Sequence, residues 1–388
     1  MLQLFAGRHG GDVITLDDQT SLRLAVADPR TLLQEAARPT MIDEVQRAGD
    51  PLVLAIKAIV DRDRGRGQFL LSGSAQFLTV PRLSESLAGR AAFLELWPLA
   101  MAERTGAAPD FAGLAFTDPV ALRRGRTTWT RAGYIDVIAG GGFPETLDQS
   151  PADRRTWYDS YLRTVVSRDI VEFAQIERGA AVPRLLALLA ARAGGTAVLA
   201  DLAQDTELAR DTVRNYLSYL DGVFLTSSVP VWSANLNHRA AKTPKIYLTD
   251  SGLAAHVLLT GPEALARPGN PALEGLVETF VFTELTKLRA AAPEPFKIYY
   301  YRDRVGHEVD FVLERYDGLV AAIEAKATAS PSAKDAAGLA WLRDQVGERF
   351  ATGIVLHQGD AAGSLGDRIQ ILPLSVLWEH APLPAHSF

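Results

Sequence analysis

Near the end of the chain, Asp310, Glu324 and Lys326, with Glu278 upstream on a helical stretch, could act together on a phosphodiester. Glu308-Val309-Asp310-Phe311-Val312-Leu313 and Val320-Ala321-Ala322-Ile323-Glu324-Ala325 read as neighbouring strands. Side chains alternate along a strand, so Glu324 and Lys326 share one face and meet Asp310 at one sheet edge. Two carboxylates there could hold magnesium, and an ammonium could orient or activate water. A plainer reading stands beside it: Glu324 and Lys326 form a same-face ion pair on a half-buried strand, and Glu278 is simply exposed. A second acidic pair, Asp43-Glu44, closes the apolar run Thr40-Met41-Ile42. Strand ends are often acidic and solvated, so this pair gains meaning only from the motifs downstream of it.

The elements that would position these groups fall into four stretches. Up to about residue 100, apolar runs alternate with amphipathic segments, as in a βα sheet: Val13–Leu16, helical segments over Leu22–Ala36 broken at Pro29, Pro39–Ile42, then Phe69–Leu71. Short loops between them predict a parallel sheet with right-handed crossovers. Residues 101–182 read as helical, with a Gly-rich hinge or turn at Gly140-Gly141-Gly142-Phe143-Pro144-Glu145. Tyr158, Tyr161 and Phe173, spaced with Leu162, Val165 and Ile170, make a helix core face rather than a ligand cage. Residues 183–262 read as three helices followed by a small β-wing, the order of a winged helix. Its third helix, Asp211–Leu220, offers Arg210, Arg214, Asn215 and Tyr216 for phosphate or base contact. Residues 263–388 form a second α/β unit, opening with a helix over Leu276–Leu288 and strands at Ile298–Tyr301, Glu308–Leu313 and Val320–Ala325.

After Asp43-Glu44 come Phe69-Leu70-Leu71-Ser72-Gly73-Ser74, then Leu83-Ser84-Glu85-Ser86-Leu87-Ala88-Gly89-Arg90 and Leu94-Glu95-Leu96-Trp97-Pro98-Leu99. This order resembles a prokaryotic AAA+ family of ATP-binding proteins. The resemblance continues through Gly141-Gly142-Phe143-Pro144-Glu145, Arg168-Asp169-Ile170 and Lys245-Ile246-Tyr247-Leu248-Thr249-Asp250-Ser251-Gly252-Leu253, and so covers nearly the whole chain. It implies ATP and magnesium as cofactors, with Asp43 on the metal, Glu44 as base, Ser72 or Ser74 sensing phosphate, and Arg90 as a finger-like residue. A surface or packing role for Arg90 is an equal alternative. Such ATPases cradle phosphates in a loop Gly-x-x-x-x-Gly-Lys-Ser/Thr, and no such run occurs in these 388 residues. The expectation is an AAA+ sheet domain lacking its first strand and phosphate loop, with slow or absent hydrolysis.

The C-terminal constellation looks like the PD-(D/E)xK nuclease fold, which implies magnesium at Asp310 and Glu324 with Glu278 beside it and Lys326 as the catalytic lysine. The fold class expected overall is α/β: a truncated AAA+ sheet, a helical and winged-helix middle, and a restriction-endonuclease-like end. The leading function is a regulatory or switch ATPase weakened in hydrolysis. A metal-dependent nuclease and a catalytically silent DNA- or protein-binding module are the alternatives.

Composition bounds these readings. Lys plus Arg number 40 against 46 Asp plus Glu, net charge -6, which argues against a generally basic nucleic-acid coat but leaves room for a local patch. With no cysteine, disulfides, thiol nucleophiles and thiolate metal sites are excluded. His9, His238, His256 and His307 lie far apart, without zinc-binding spacing. No charge-free apolar stretch spans a bilayer and the first residues lack a signal-peptide pattern, so a cytosolic protein without membrane contact is expected. DNA, a protein partner and a homo-oligomer remain open as partners.

Overall fold

A computed structural model of the chain describes residues 1–73, 87, 89–123, 126–166, 181–235 and 243–379. The chain forms a mixed α/β structure in two compact units, residues 1–94 with 222–224, and residues 95–221 with 225–388.

In the first unit, β1 (Asp12–Thr15), β2 (Thr40–Asp43) and β3 (Phe69–Leu71) form a parallel sheet in the order β1-β2-β3. A parallel middle strand is covered on both faces, and Met41 and Ile42 accordingly have no exposed surface. The helical break at Pro29 is a relay of caps. Asp18 opens helix Gln19–Ala27 by accepting from Ser21 N at 2.7 Å, and Asp28 opens helix Pro29–Glu35 by accepting from Thr31 N at 3.2 Å. Proline at the first helical position needs no N–H partner, so the second helix starts there without loss. The core gathers Leu16, Leu33, Ile42, Val45, Leu52, Val53 and Ile56 from the sheet and helices. Each such side chain stabilises by roughly 1.5–3 kcal/mol on full burial.

The second unit begins with short helices Met101–Thr105 and Phe111–Thr117, then Arg131–Gly140 and Pro151–Thr164. Helices Ala181–Ala191, Leu199–Thr206 and Arg210–Gly222 come next, and then β4 (Thr226–Val229) pairs antiparallel with β5 (Lys245–Leu248). Helix Ser251–Val257 leads towards the long helix Ala272–Ala291, in which Leu273 and a continuous run from Leu276 to Thr286 are buried.

A six-stranded mixed sheet completes this unit, ordered β10 (Gly363–Ser364), β11 (Ile369–Pro373), β9 (Phe350–His357), β8 (Val320–Ala325), β7 (Glu308–Arg315) and β6 (Phe296–Arg302). The three expected strands are present as β6 (Phe296–Arg302), β7 (Glu308–Arg315) and β8 (Val320–Ala325), joined antiparallel. Three more that the sequence did not reveal, β9 (Phe350–His357), β10 (Gly363–Ser364) and β11 (Ile369–Pro373), extend the sheet. β9 runs parallel to β8 after a crossover through helix Ala337–Val346, and its core includes Val309, Val312, Ala322, Leu339, Leu342 and Val355. Among the described residues no helix is long and apolar enough to cross a membrane.

Candidate functional site

At the C-terminal end of β2, the Ser72 hydroxyl donates to Asp43 Oδ1. Backbone bonds fix the pair: Ser72 N donates to Ile42 O at 2.9 Å, and Val45 N to Ser72 O at 3.0 Å. Glu44 is next, in the left-handed region with φ 55°, and its Oε2 accepts from the Gln46 side chain. A non-glycine residue there costs about 1–2 kcal/mol, and such strain gathers at functional sites. One carboxylate and one hydroxyl suit magnesium, which keeps most of its positions for phosphate and water, so these residues fit that ion. Ser74 lies outside the described residues. Arg90 forms a two-point pair with Asp61 on helix Asp50–Arg62, at 2.6 and 3.3 Å.

The C-terminal residues Glu278, Asp310, Glu324 and Lys326 meet around β7 and β8. Asp310 Oδ2 accepts from Ala325 N at 3.1 Å, and Glu324 Oε2 accepts from Asp310 N at 3.4 Å. Lys326 Nζ donates to Glu324 Oε1 at 2.9 Å and lies 3.7 Å from Glu274. Glu278 is buried, not exposed. Its neighbour is a group that the motif spacing does not single out: the fully buried Lys245, whose Nζ lies 3.0 Å from Glu278 Oε1, 2.9 Å from Glu308 Oε1 and 3.3 Å from Asp310 Oδ1. Tyr247 also donates to Glu278 Oε1. The signal that could have found it is local: Lys245 and Tyr247, two apart on β5, share a face, as do Glu308 and Asp310 on β7.

Burial, with the Asp310 charge next, pushes Glu278 up to about 7 and Glu324 up to about 8, against the pull of their lysines. Burial alone would lower Lys245 and Lys326, but the surrounding carboxylates outweigh it and hold both well above the ordinary lysine value. Gly194, φ +85°, closes the cluster, since a Cβ there would stand 2.2 Å from Glu278 Oε2. Magnesium does not fit this cluster. An ammonium already stands among Glu278, Glu308 and Asp310, in the space that a cation bound by these carboxylates would take. Among the described residues no group of three or more acidic or histidine side chains is arranged to hold a metal ion.

The run Lys245–Leu253 also supplies Asp250, the buried cap of helix Ser251–Val257. It accepts from Leu253 N at 2.8 Å, Gly142 N at 2.7 Å and the Tyr158 hydroxyl at 3.2 Å. Burial, and then the Asp250 charge, raise the Tyr158 phenol. A Cβ on Gly141, φ +69°, would stand 2.2 Å from Asp250 Oδ1, so the glycine-rich stretch is a pinned turn. Residues 95–105 are held nearby: Leu99 N donates to Gly142 O at 2.8 Å, Met101 N to buried Glu284 Oε2 at 3.0 Å, and Lys287 Nζ to Leu99 O at 3.1 Å.

On helix Arg210–Gly222, Tyr216 is buried and packs in the core rather than facing a ligand, because it lies three residues after Val213 on the apolar face. Arg214 pairs with Asp211 at 2.5 Å, Arg184 with Glu207 at 3.4 Å, and Arg192 with Asp205. His256 pairs with Asp159 and His307 with Asp303. Arg168-Asp169-Ile170, Phe173 and His238 lie outside the described residues.

Residues 3–105 match a family described as AAA domain. Residues 131–264 and 273–377 match two families each described as a domain of unknown function (DUF8612 and DUF4143). Uncharacterized proteins from Mycobacterium bovis and Mycobacterium tuberculosis are each 32% identical over 307 residues, 79% of this chain and 63% of the relative. The chain thus spans less than two thirds of the length of these curated relatives. No solved structure matches. Together the matches support an AAA-like, ATPase-type protein carrying two further domains of unknown function.

Proposed function

We propose that this chain is a nucleotide-responsive switch of the AAA+ type, weakened in hydrolysis, in which residues 1–100 read nucleotide. The observation that carries the reading is the Asp43–Ser72 pair at the end of the central parallel strand, with Glu44 next in a left-handed conformation. Magnesium, when bound, would neutralise phosphate charge there. Asp43 would hold the ion, Ser72 keeps that carboxylate oriented, and Glu44 would polarise a water. The 388 residues contain no Gly-Lys-Ser/Thr loop, so the main phosphate cradle is lacking from this sequence and affinity is correspondingly weak. A magnesium-dependent fluorescence titration with an ATP analogue tests the assignment. Weak binding that disappears in Asp43→Ala is expected, and binding unchanged in that variant would remove Asp43 from the site.

The switch reading draws further support from residues 95–105, which end the AAA-matching stretch and are bonded, within the second unit, to Gly142, Glu284 and Lys287 of the segments that follow. Residues 101–182 then serve as a helical connection, residues 183–262 as a winged-helix-like module, and residues 263–388 as a restriction-endonuclease-like unit. Three of the arginines on the helical module are paired with acids, which favours a protein contact over DNA for that surface. Nuclease chemistry is the second reading, favoured by the meeting of Asp310, Glu324 and Lys326 and opposed by Lys245. Magnesium- or manganese-dependent plasmid cleavage lost in both Asp310→Ala and Lys326→Ala would support it, and cleavage unchanged in both would end it.

A further inference from the structure

The metal that the nuclease resemblance implies and the residues of the cluster disagree, and the disagreement has one side chain at its centre. We propose that Lys245 is the resident cation of the carboxylate cluster formed by the long helix and β7, so that this unit works without a divalent metal.

The lysine is not a surface side chain folded into a vacancy. Its backbone lies on β5, paired with Val229 on β4 and bridged to Thr196. The residues before it are held as well: Ala197 N donates to Pro244 O at 3.0 Å, and the Tyr300 hydroxyl donates to Thr243 O at 2.5 Å. The Tyr300 ring lies 5.6 Å from Nζ, a further attraction for a cation. The ammonium therefore reaches Glu278, Glu308 and Asp310 from a scaffold fixed on several sides. An ammonium donates three hydrogen bonds, and three carboxylate oxygens stand around it at 2.9–3.3 Å. Magnesium bound by these oxygens would stand at about 2.1 Å from them, in the space that the ammonium fills.

The cation also comes from elsewhere in the chain. Lys245 lies in the matched stretch 131–264, whereas Glu278, Glu308 and Asp310 lie in the stretch 273–377. The cluster thus joins one matched segment to the other. An ion pair within one segment would not do this.

Manganese uptake by the intact 388-residue protein, measured by electron paramagnetic resonance, tests the proposal. Wild type and Asp310→Asn are expected to take up the same amount, because any ion bound near Asp43 is common to both. Lys245→Gln is expected to gain an ion, and the double variant with Asp310→Asn to lose it again. Circular dichroism reads the folding of each variant. If Lys245→Gln is unfolded alone, recovery of its helical signal on adding manganese supports the proposal, and failure to recover overturns it. Uptake by wild type that falls in Asp310→Asn overturns it too, as does a folded Lys245→Gln that gains no ion. The measurement does not involve nucleotide, so its failure leaves the ATP reading standing or falling on its own test.

Discussion

A lysine without exposed surface keeps its charge only where carboxylates replace the water it has lost, and Glu278, Glu308 and Asp310 do this for Lys245. Lys245→Met should therefore cost roughly 3–5 kcal/mol, since it strands buried carboxylates without a partner. Urea unfolding measures the loss, and a cost indistinguishable from zero would contradict the geometry. The same cluster sets a pH dependence. Glu278 and Glu324 have folded-state values raised from 4.5 to about 7 and about 8. A raised carboxylate contributes stability that is complete below its unfolded value and lost as pH rises through the folded one. Unfolding free energy should thus fall between about pH 5 and pH 9, and Asp310→Asn should flatten the slope by removing a charge that raises both groups. A slope that is unchanged in that variant would contradict this cause. Asp310, Glu324 and Lys326 were legible as neighbours because strand alternation fixes which residues share a face. Lys245 was not, because it reaches the cluster from a strand 65 residues before Asp310, and the shared faces of β5 and β7 do not by themselves say that the two strands meet.

At the scale of elements, residues 95–105 are tied to the long helix by Glu284, which accepts from Met101 N and Lys287 Nζ, each at 3.0 Å. Glu284→Gln keeps the shape but leaves a buried ammonium without its charge partner, and should cost about 1.5–3 kcal/mol. Thermal unfolding reads that cost, and a neutral effect would show that the tie carries no energy. Which elements could be read beforehand depends on periodicity. The run Thr40–Ile42 and the break at Pro29 were plain in the sequence because both depend on neighbouring residues. So were the three helices before β4. The final strands were not: β9 pairs with β8 only after a crossover helix, and its apolar run gives no hint of its partner. Tyr216, grouped in the sequence with Arg210, Arg214 and Asn215 as a contact residue, is buried, because its helical spacing from Val213 puts it on the apolar face.

At the scale of the whole chain, an AAA-matching stretch precedes two matched segments, and Lys245 ties the second of these three stretches to the third. The order of the N-terminal motifs was legible because it is a property of the sequence. What the cluster holds was not, because that depends on which charge comes to rest among the carboxylates. At the other end, Asp43, Ser72 and Glu44 are proposed as half of a nucleotide site, in a sequence without the loop that would cradle phosphate. Steady-state hydrolysis of magnesium ATP by the purified 388-residue chain tests this most directly. No turnover above the protein-free rate is predicted, and magnesium-dependent turnover that disappears in Glu44→Gln would contradict the account.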